Sequence, residues 1–292
     1  MDVSQILQFV ITGLTTGSIY ALIAIGFLTI YNVTGIVNFS QGEFTMLGAM
    51  FSVTFYNMGM SVYLAGLLAV ILTALIGLVI ERLVIMPNKN TKFLNLIIIT
   101  IGLSVLLRAA GLLIWGTYPK SLPPFSNNDS IVILDAVIVP QSLWVIGTLI
   151  FLLLVLYIFF EKTMIGSALK ACVINKTAAK LMGINPYSMS ALAFLISAAI
   201  GAIAGVVVAP ITSATYDMGL MLGLKGFMAT VIGGMTNVPS VVAAGFLIGL
   251  LEAFSAGYIS TSYSEAISFA ILLLVLFIAP NGIMSKMTGK RV

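Results

Sequence analysis

Asn38, Ser40, Gln41 and Glu43 place two amides, a hydroxyl and a carboxylate within six residues, with Gly35 and Gly42 beside them. These groups exchange hydrogen bonds and carry one charge, so their chemistry is recognition or helix bracing, not bond making. They lie between two apolar runs long enough to enter a bilayer. Polar groups at membrane depth are costly and face a cavity or a packed interior. Glycines there let a helix break or a neighbouring backbone approach. The stretch Gly35–Phe44 is therefore expected to line any substrate path the protein has. A helix–helix turn at the membrane surface would use the same residue types, so both readings stand on these residues alone.

Three further charges fall inside apolar runs: Arg108, Lys225 and Glu252. Arg108 is placed either to pair with a carboxylate or to snorkel toward the end of its helix. Lys225 lies in a glycine-rich segment and either lines a polar cavity or pairs with Glu252. The chain has no histidine and a single cysteine, Cys172. That excludes histidine triads, histidine proton relays, histidine metal ligands, an intrachain disulfide and a cysteine metal cluster. No G-x-x-x-x-G-K-[ST] loop is present, so ATP is not bound by that device. No nucleophile–base constellation is visible.

The elements that position these residues follow from composition. The chain has 292 residues, 60% hydrophobic and 8% charged, against roughly 25% charged in soluble domains. Apolar runs near the ~20 residues that cross a bilayer recur throughout. The reading is an all-α polytopic membrane protein, a single transmembrane domain over residues 1–292, with eight or nine transmembrane helices and one or two broken or re-entrant segments. The N-terminus lacks the basic flank of a signal peptide, so its first apolar run is expected to be retained as a helix. Expected spans are 6–30, 44–56, 61–85, 93–115, 139–160, 188–214, 218–235, 241–257 and 266–279. Of thirteen Lys and Arg, all but Arg108, Lys120 and Lys225 cluster at 82–92, at 161–187 and in the tail with Lys286, Lys290 and Arg291. By the positive-inside rule these regions are cytoplasmic, the C-terminus included. The net charge of +4 belongs to loop ends and gives no reason to expect nucleic acid; the surrounding partner is membrane lipid. Charge leaves the N-terminal side open. A full crossing by 31–57 gives nine spans and an external N-terminus. A re-entrant 31–57 gives eight and an internal one, and is preferred because the polar cluster then sits at a broken helix.

The loop 161–187 contains Thr177-Ala178-Ala179-Lys180-Leu181-Met182-Gly183. Ala, Lys, Leu and Met are good helix formers, and Gly183 followed by Pro186 stops a helix. A short amphipathic helix able to dock on a partner is expected there, although a plain connecting loop would also fit. The region 116–137 reads as an external loop.

At this point the sequence resembles a known family. Gly13-Leu-Thr-Thr-Gly-Ser-Ile-Tyr-Ala-Leu and Val37-Asn-Phe-Ser-Gln-Gly-Glu-Phe are similar to the N-terminal signature of LivH-type permeases of branched-chain amino acid ABC transporters. Thr100-Ile-Gly-Leu-Ser, Gly183-Ile-Asn, Gly223-Leu-Lys-Gly-Phe, Val231-Ile-Gly-Gly and Pro280-Asn-Gly-Ile follow in the family's order. The resemblance implies a multi-pass permease of a bacterial-type plasma (inner) membrane. Its partners would be a second permease, two cytoplasmic ATPase subunits and an extracytoplasmic substrate-binding protein. It implies no cofactor on this chain, with ATP used by the partner ATPases. It also implies alternating access, with a translocation pathway near Asn38, Phe39, Ser40, Gln41, Gly42 and Glu43, where Phe39 and Phe44 offer an apolar wall. Coupling to an ATPase would use Lys170, Thr177, Ala178, Ala179 and Gly183, where Thr-Ala-Ala-x-x-x-Gly resembles the importer pattern E-A-A-x-x-x-G. The sequence departs from the family at Gln41, where histidine is usual, at Ser240, where glycine is common, and at Asn281, where glutamine is usual. The other reading is a stand-alone secondary transporter or channel for small polar solutes, with the intramembrane charges serving ion coupling.

Overall fold

A computed structural model describes residues 3–89, 91–126, 129–133, 135–279 and 282. The basic tail residues Lys286, Lys290 and Arg291, and the Pro280-Asn281 pair, lie outside the described residues.

Among the described residues, eleven α-helices carry the fold: α1 (Val3–Thr34), α2 (Gln41–Asn57), α3 (Val62–Ile80), α4 (Phe93–Trp115), α5 (Pro140–Lys162), α6 (Met164–Ile174), α7 (Lys176–Leu181), α8 (Pro186–Thr212), α9 (Met218–Ile232), α10 (Val238–Tyr258) and α11 (Thr261–Ile278). Helix α3 continues through one π turn, Glu81–Ile85, before Pro87 ends it. Six of the helices are long and apolar enough to cross a membrane: α1, α3 with its π turn, α4, α5, α8 and α10. The protein is a polytopic all-α membrane protein.

Local chemistry sets the helix ends. Ser61 and Asn237 accept backbone N–H bonds at the starts of α3 and α10. Pro140 opens α5 and Pro186 opens α8, where a missing N–H costs nothing. Such caps satisfy donors that the helix cannot.

Helices α1 and α8 are mostly enclosed, and α4 and α5 are mostly exposed along apolar faces. That exposure suits lipid, which needs no polar face from the helix. The inner helices meet through small residues. A Cβ built on Gly205 of α8 would lie 1.9 Å from the Thr45 carbonyl oxygen of α2. The α1–α10 pair closes the same way, with a Cβ on Gly249 falling 2.3 Å from the Gly17 nitrogen. Backbones this close gain dispersion contacts that replace the hydrophobic drive absent in lipid.

The two ends of the bundle are distinct. At one end, a short antiparallel hairpin pairs β1 (Ile131–Ile133) with β2 (Ala136–Ile138). Val137 N donates to Gln8 Oε1 at 2.9 Å, and Lys120 pairs through its backbone with Ala214. At the other end, Lys176 Nζ donates to the Thr34 carbonyl at 2.8 Å, beside α6 and α7. The start of α1 thus lies with the hairpin and its end with the basic loop 161–187. The preferred placement of the N-terminal end beside the basic loops is corrected by these contacts. The cause is the length of α1: at 32 residues and about 1.5 Å per residue it reaches from one end of the bundle to the other. The hairpin itself sits in the region read as a loop. Its β-branched residues on either side of Asp135, which turns at φ 62°, are the signal that marks it.

Candidate functional site

Helix α1 stops at Gly35, whose φ of 77° is a conformation that glycine adopts without a Cβ penalty. The chain then runs unwound until α2 begins at Gln41. The Asn38 side chain stabilises this break by accepting from Ser40 N at 3.2 Å and Ser40 Oγ at 2.7 Å. A polar break between two helices is what the cluster of Asn, Ser and Gln encodes.

Most of the signature is turned inward. Asn38, Ser40, Gln41 and Glu43 are each at most 1% exposed. Gln41 Nε2 donates to the Ser197 carbonyl at 3.1 Å, and Ser197 Oγ reaches both Gln41 Oε1 and the Gly26 carbonyl at 2.7 Å. Gln41 thereby locks α2 to α1 and α8. Gly42 lets α9 press against the break: a Cβ there would lie 2.0 Å from the Gly219 carbonyl oxygen.

Phe39 differs from its neighbours. It is half-buried and lines a cleft of about 90 Å³ between the break, α1, α4 and α9. Phe27, Phe39 and Phe227 form one wall, with ring centroids 5.8 Å apart for Phe27–Phe227 and 5.3 Å for Phe39–Phe227. Ser104 and Arg108 of α4 face the same cleft. Ser104 Oγ donates to Glu43 Oε1 at 2.7 Å, and Arg108 Nε stands 4.0 Å from the same oxygen. Glu43 Oε2 is buried without a hydrogen-bond partner. Of the two possibilities open for Arg108, pairing is the one observed. Phe44, the other expected wall residue, is fully enclosed in the core and does not reach the cleft.

A second charged centre lies between α1, α9, α10 and α11. Lys225 Nζ is 2.6 Å from Glu252 Oε1 and 3.6 Å from Glu265 Oε1. Tyr20 Oη donates to Glu252 Oε2, and Ser268 Oγ donates to Glu252 Oε1 at 3.2 Å. The pairing of Lys225 with Glu252 is one of the two sequence expectations.

The residues expected to couple to an ATPase sit together at the far end of the bundle from the hairpin. Asn175 Oδ1 accepts from Thr177 N and Ala178 N, both at 3.0 Å, and starts α7. Gly183 ends it at φ 83°. Thr177 and Ala178 are exposed and Ala179 is buried. Lys170 of α6 pairs with Glu161 at the end of α5. Ile174, Leu181 and Met182 project into the surroundings with more than 80% of their surface exposed.

Sequence reading missed Phe27, Phe227, Ser104 and Ser197 as members of these arrangements. Arg108 carried a signal, being one of few charges inside an apolar run. Ser104 and Phe227 end the family-like stretches Thr100-Ile-Gly-Leu-Ser and Gly223-Leu-Lys-Gly-Phe, but nothing local tied either to the break, and Phe27 and Ser197 carried no signal, because only packing brings them there.

Comparison with known proteins agrees with this architecture. Residues 9–276 match the family described as branched-chain amino acid transport system / permease component. The chain is 35% identical to the high-affinity branched-chain amino acid transport system permease protein LivH of Salmonella typhimurium, with 96% of each chain covered. It is 32% identical to the corresponding permease BraD of Pseudomonas aeruginosa, covering 98% of this chain and 97% of that one. Among solved structures, PsaBC from Streptococcus pneumoniae in complex with Fab superposes with a TM-score of 0.52 at 14% identity, covering 97% of this chain and 95% of that chain. That likeness shows a shared fold. The relatives are transport components and not enzymes. The chain belongs to the family of permease components of branched-chain amino acid transport systems.

Proposed function

We propose that this chain is the membrane-spanning subunit of an ATP-driven importer of branched-chain or related amino acids. It would pair with a second permease and work with two cytoplasmic ATPase subunits and an extracytoplasmic binding protein. No cofactor is held by this chain in this scheme; ATP is bound and hydrolysed by the partners. The chain lies in the inner membrane with α6, α7 and the C-terminus in the cytoplasm. The start of α1 is external, and nine segments cross, α2 and α9 being short crossings that each begin below the surface.

The exposed arm α6–α7 carries this reading. Ile174, Leu181 and Met182 stand exposed in a loop that also holds Lys176 and Lys180, so they are apolar groups facing an aqueous compartment. Such a patch marks a docking surface. Gly183 gives the short helix a sharp stop. Lys176 of this arm also holds the Thr34 carbonyl at 2.8 Å, one residue before the break at Gly35. Displacement of the arm by an ATPase therefore reaches the broken helix through a direct contact. Gly42, Gln41 and Asn38 act as the fixed packing of the pathway, and Phe39 as its surface.

Purification of the affinity-tagged chain from its native membranes tests the assembly. An ATPase subunit and a second permease are expected to co-purify, and Leu181→Glu is expected to release the ATPase. A tagged chain that transports amino acids with no associated ATPase would overturn this reading in favour of a stand-alone transporter.

A further inference from the structure

Arg108 lines the cleft beside the break and Glu43 is buried behind it, and the two complement each other but do not fully engage. Arg108 Nε is 4.0 Å from Glu43 Oε1, beyond hydrogen-bonding reach. No hydrogen bond from the guanidinium to a protein group is present among the described residues, and its side chain keeps 25% of its surface accessible. Glu43 is 1% exposed, yet its Oε2 has no partner. A buried carboxylate oxygen left unpaired is costly. The second charged centre shows that this bundle can close such a pair: there Lys225, Tyr20 and Ser268 saturate Glu252. At Glu43 the set is left incomplete.

The surroundings define what would complete it. Among the described residues Arg108 is the one cation lining the cleft, and its planar fork matches a carboxylate through two parallel N–H bonds. Phe27, Phe39 and Phe227 line the same cleft as an aromatic wall. We propose that Arg108 is the carboxylate-recognising residue of the translocation pathway, seating an α-amino acid with its apolar side chain against Phe27, Phe39 and Phe227. In that pose Arg108 turns from Glu43, which is buried behind the cleft lining, to the ligand's carboxylate. The assignment rests on the importer reading above and adds to it the residue that reads the ligand's carboxylate.

The test uses the complete transporter with its partner subunits in liposomes. Arg108→Gln is expected to lower leucine uptake by about tenfold or more, the loss of a charge-assisted bond in a dry site. A structural defect would also lower uptake, so a labelling readout decides. Leu220, exposed at the cleft mouth, is replaced by cysteine in a Cys172→Ala chain, and its methanethiosulfonate labelling rate is measured. L-Leucine is expected to slow labelling several-fold, and L-leucinamide, which lacks the carboxylate, is expected not to. Protection by leucine is expected to vanish with Arg108→Gln. Equal protection by both compounds, protection by neither, or protection that survives Arg108→Gln overturns the proposal. If Arg108→Gln does not assemble, the comparison of leucine with leucinamide on the Arg108 chain and on Arg108→Lys decides, with weaker protection expected for lysine. Absence of ATP-dependent amino acid uptake by the Arg108 chain contradicts the importer reading itself. Normal uptake by Arg108→Gln contradicts only the role of Arg108.

Discussion

Glu43 and Glu252 are both carboxylates buried in the bundle beside a cation, and they are treated in opposite ways. Glu252 is saturated. Lys225 Nζ lies 2.6 Å away, Tyr20 and Ser268 donate to its oxygens, and the four groups come from α9, α1, α11 and α10. Glu43 has one hydrogen bond from Ser104, a guanidinium at 4.0 Å and one oxygen with no partner. The first arrangement pins helices together. The second lies against a cleft and stores an unmet electrostatic demand. The contrast teaches that an intramembrane charge pair is read by how completely it is satisfied, since closure argues for structure and incompleteness for a ligand.

The largest expected effect breaks the closed centre. Glu252→Ala leaves Lys225 with only the more distant Glu265 and removes the acceptor of Tyr20. The loss should be about 3–5 kcal/mol of stability, the usual result of stranding a buried charge, read by thermal unfolding in detergent. Replacing both partners, Lys225→Met with Glu252→Leu, should recover most of it. A single substitution that leaves the melting temperature unchanged would show that the network is not a pin.

Next comes the floor beneath Glu43. Gly205→Ala drives a methyl toward the Thr45 carbonyl, 1.9 Å from the built Cβ. Overpacking of this kind should cost about 1–3 kcal/mol, and it should move α2 and the break with it. Measured uptake should fall along with stability, because α2 carries Glu43.

The open centre should respond more mildly in stability. Glu43→Gln keeps an acceptor for Ser104, and Arg108 can turn toward the cleft. The expected loss is about 1–2 kcal/mol, smaller than that of Glu252→Ala in the same unfolding assay. A larger loss at Glu43 would reverse the contrast between the two centres.

The smallest effect concerns Cys172, the native thiol that would confuse labelling at either centre. Burial pushes its pKa up, against the opposing pull of Lys176. Maleimide modification of the folded protein should therefore stay slow through the usual thiol range near ~8.5. Because the folded value is the higher one, its stabilising contribution is complete below the unfolded pKa and lost as pH rises through the folded pKa. Rapid labelling at neutral pH would show that the α6–α7 arm opens.

The sequence announced the break, the basic loops and the short capped helix, because each is written in neighbouring residues. Gly35, Asn38 and Ser40 encode the interruption locally, and Asn175 and Gly183 encode both ends of α7. The pairings were less legible. Ser104 and Glu43 are 61 residues apart, and Tyr20 and Glu252 are 232 apart, so only tertiary packing brings them together. Gln41 shows the same limit. Its amide is as polar as a ligand-binding group, and the packing of Ser197 and Gly26 spends it on joining α1, α2 and α8. The end of the bundle at which α1 starts was hidden for another reason. Its flank carries no basic residue, so the charge rule that orders the other loops has nothing to act on there.

Reconstitution tests the central claim most directly. The chain is placed in liposomes with its second permease, the ATPase subunits and the binding protein, and leucine uptake is followed with and without ATP. The account predicts uptake that needs ATP and the ATPase subunits together, and none from the chain alone under an ion gradient. Uptake by the isolated chain driven by that gradient would contradict it.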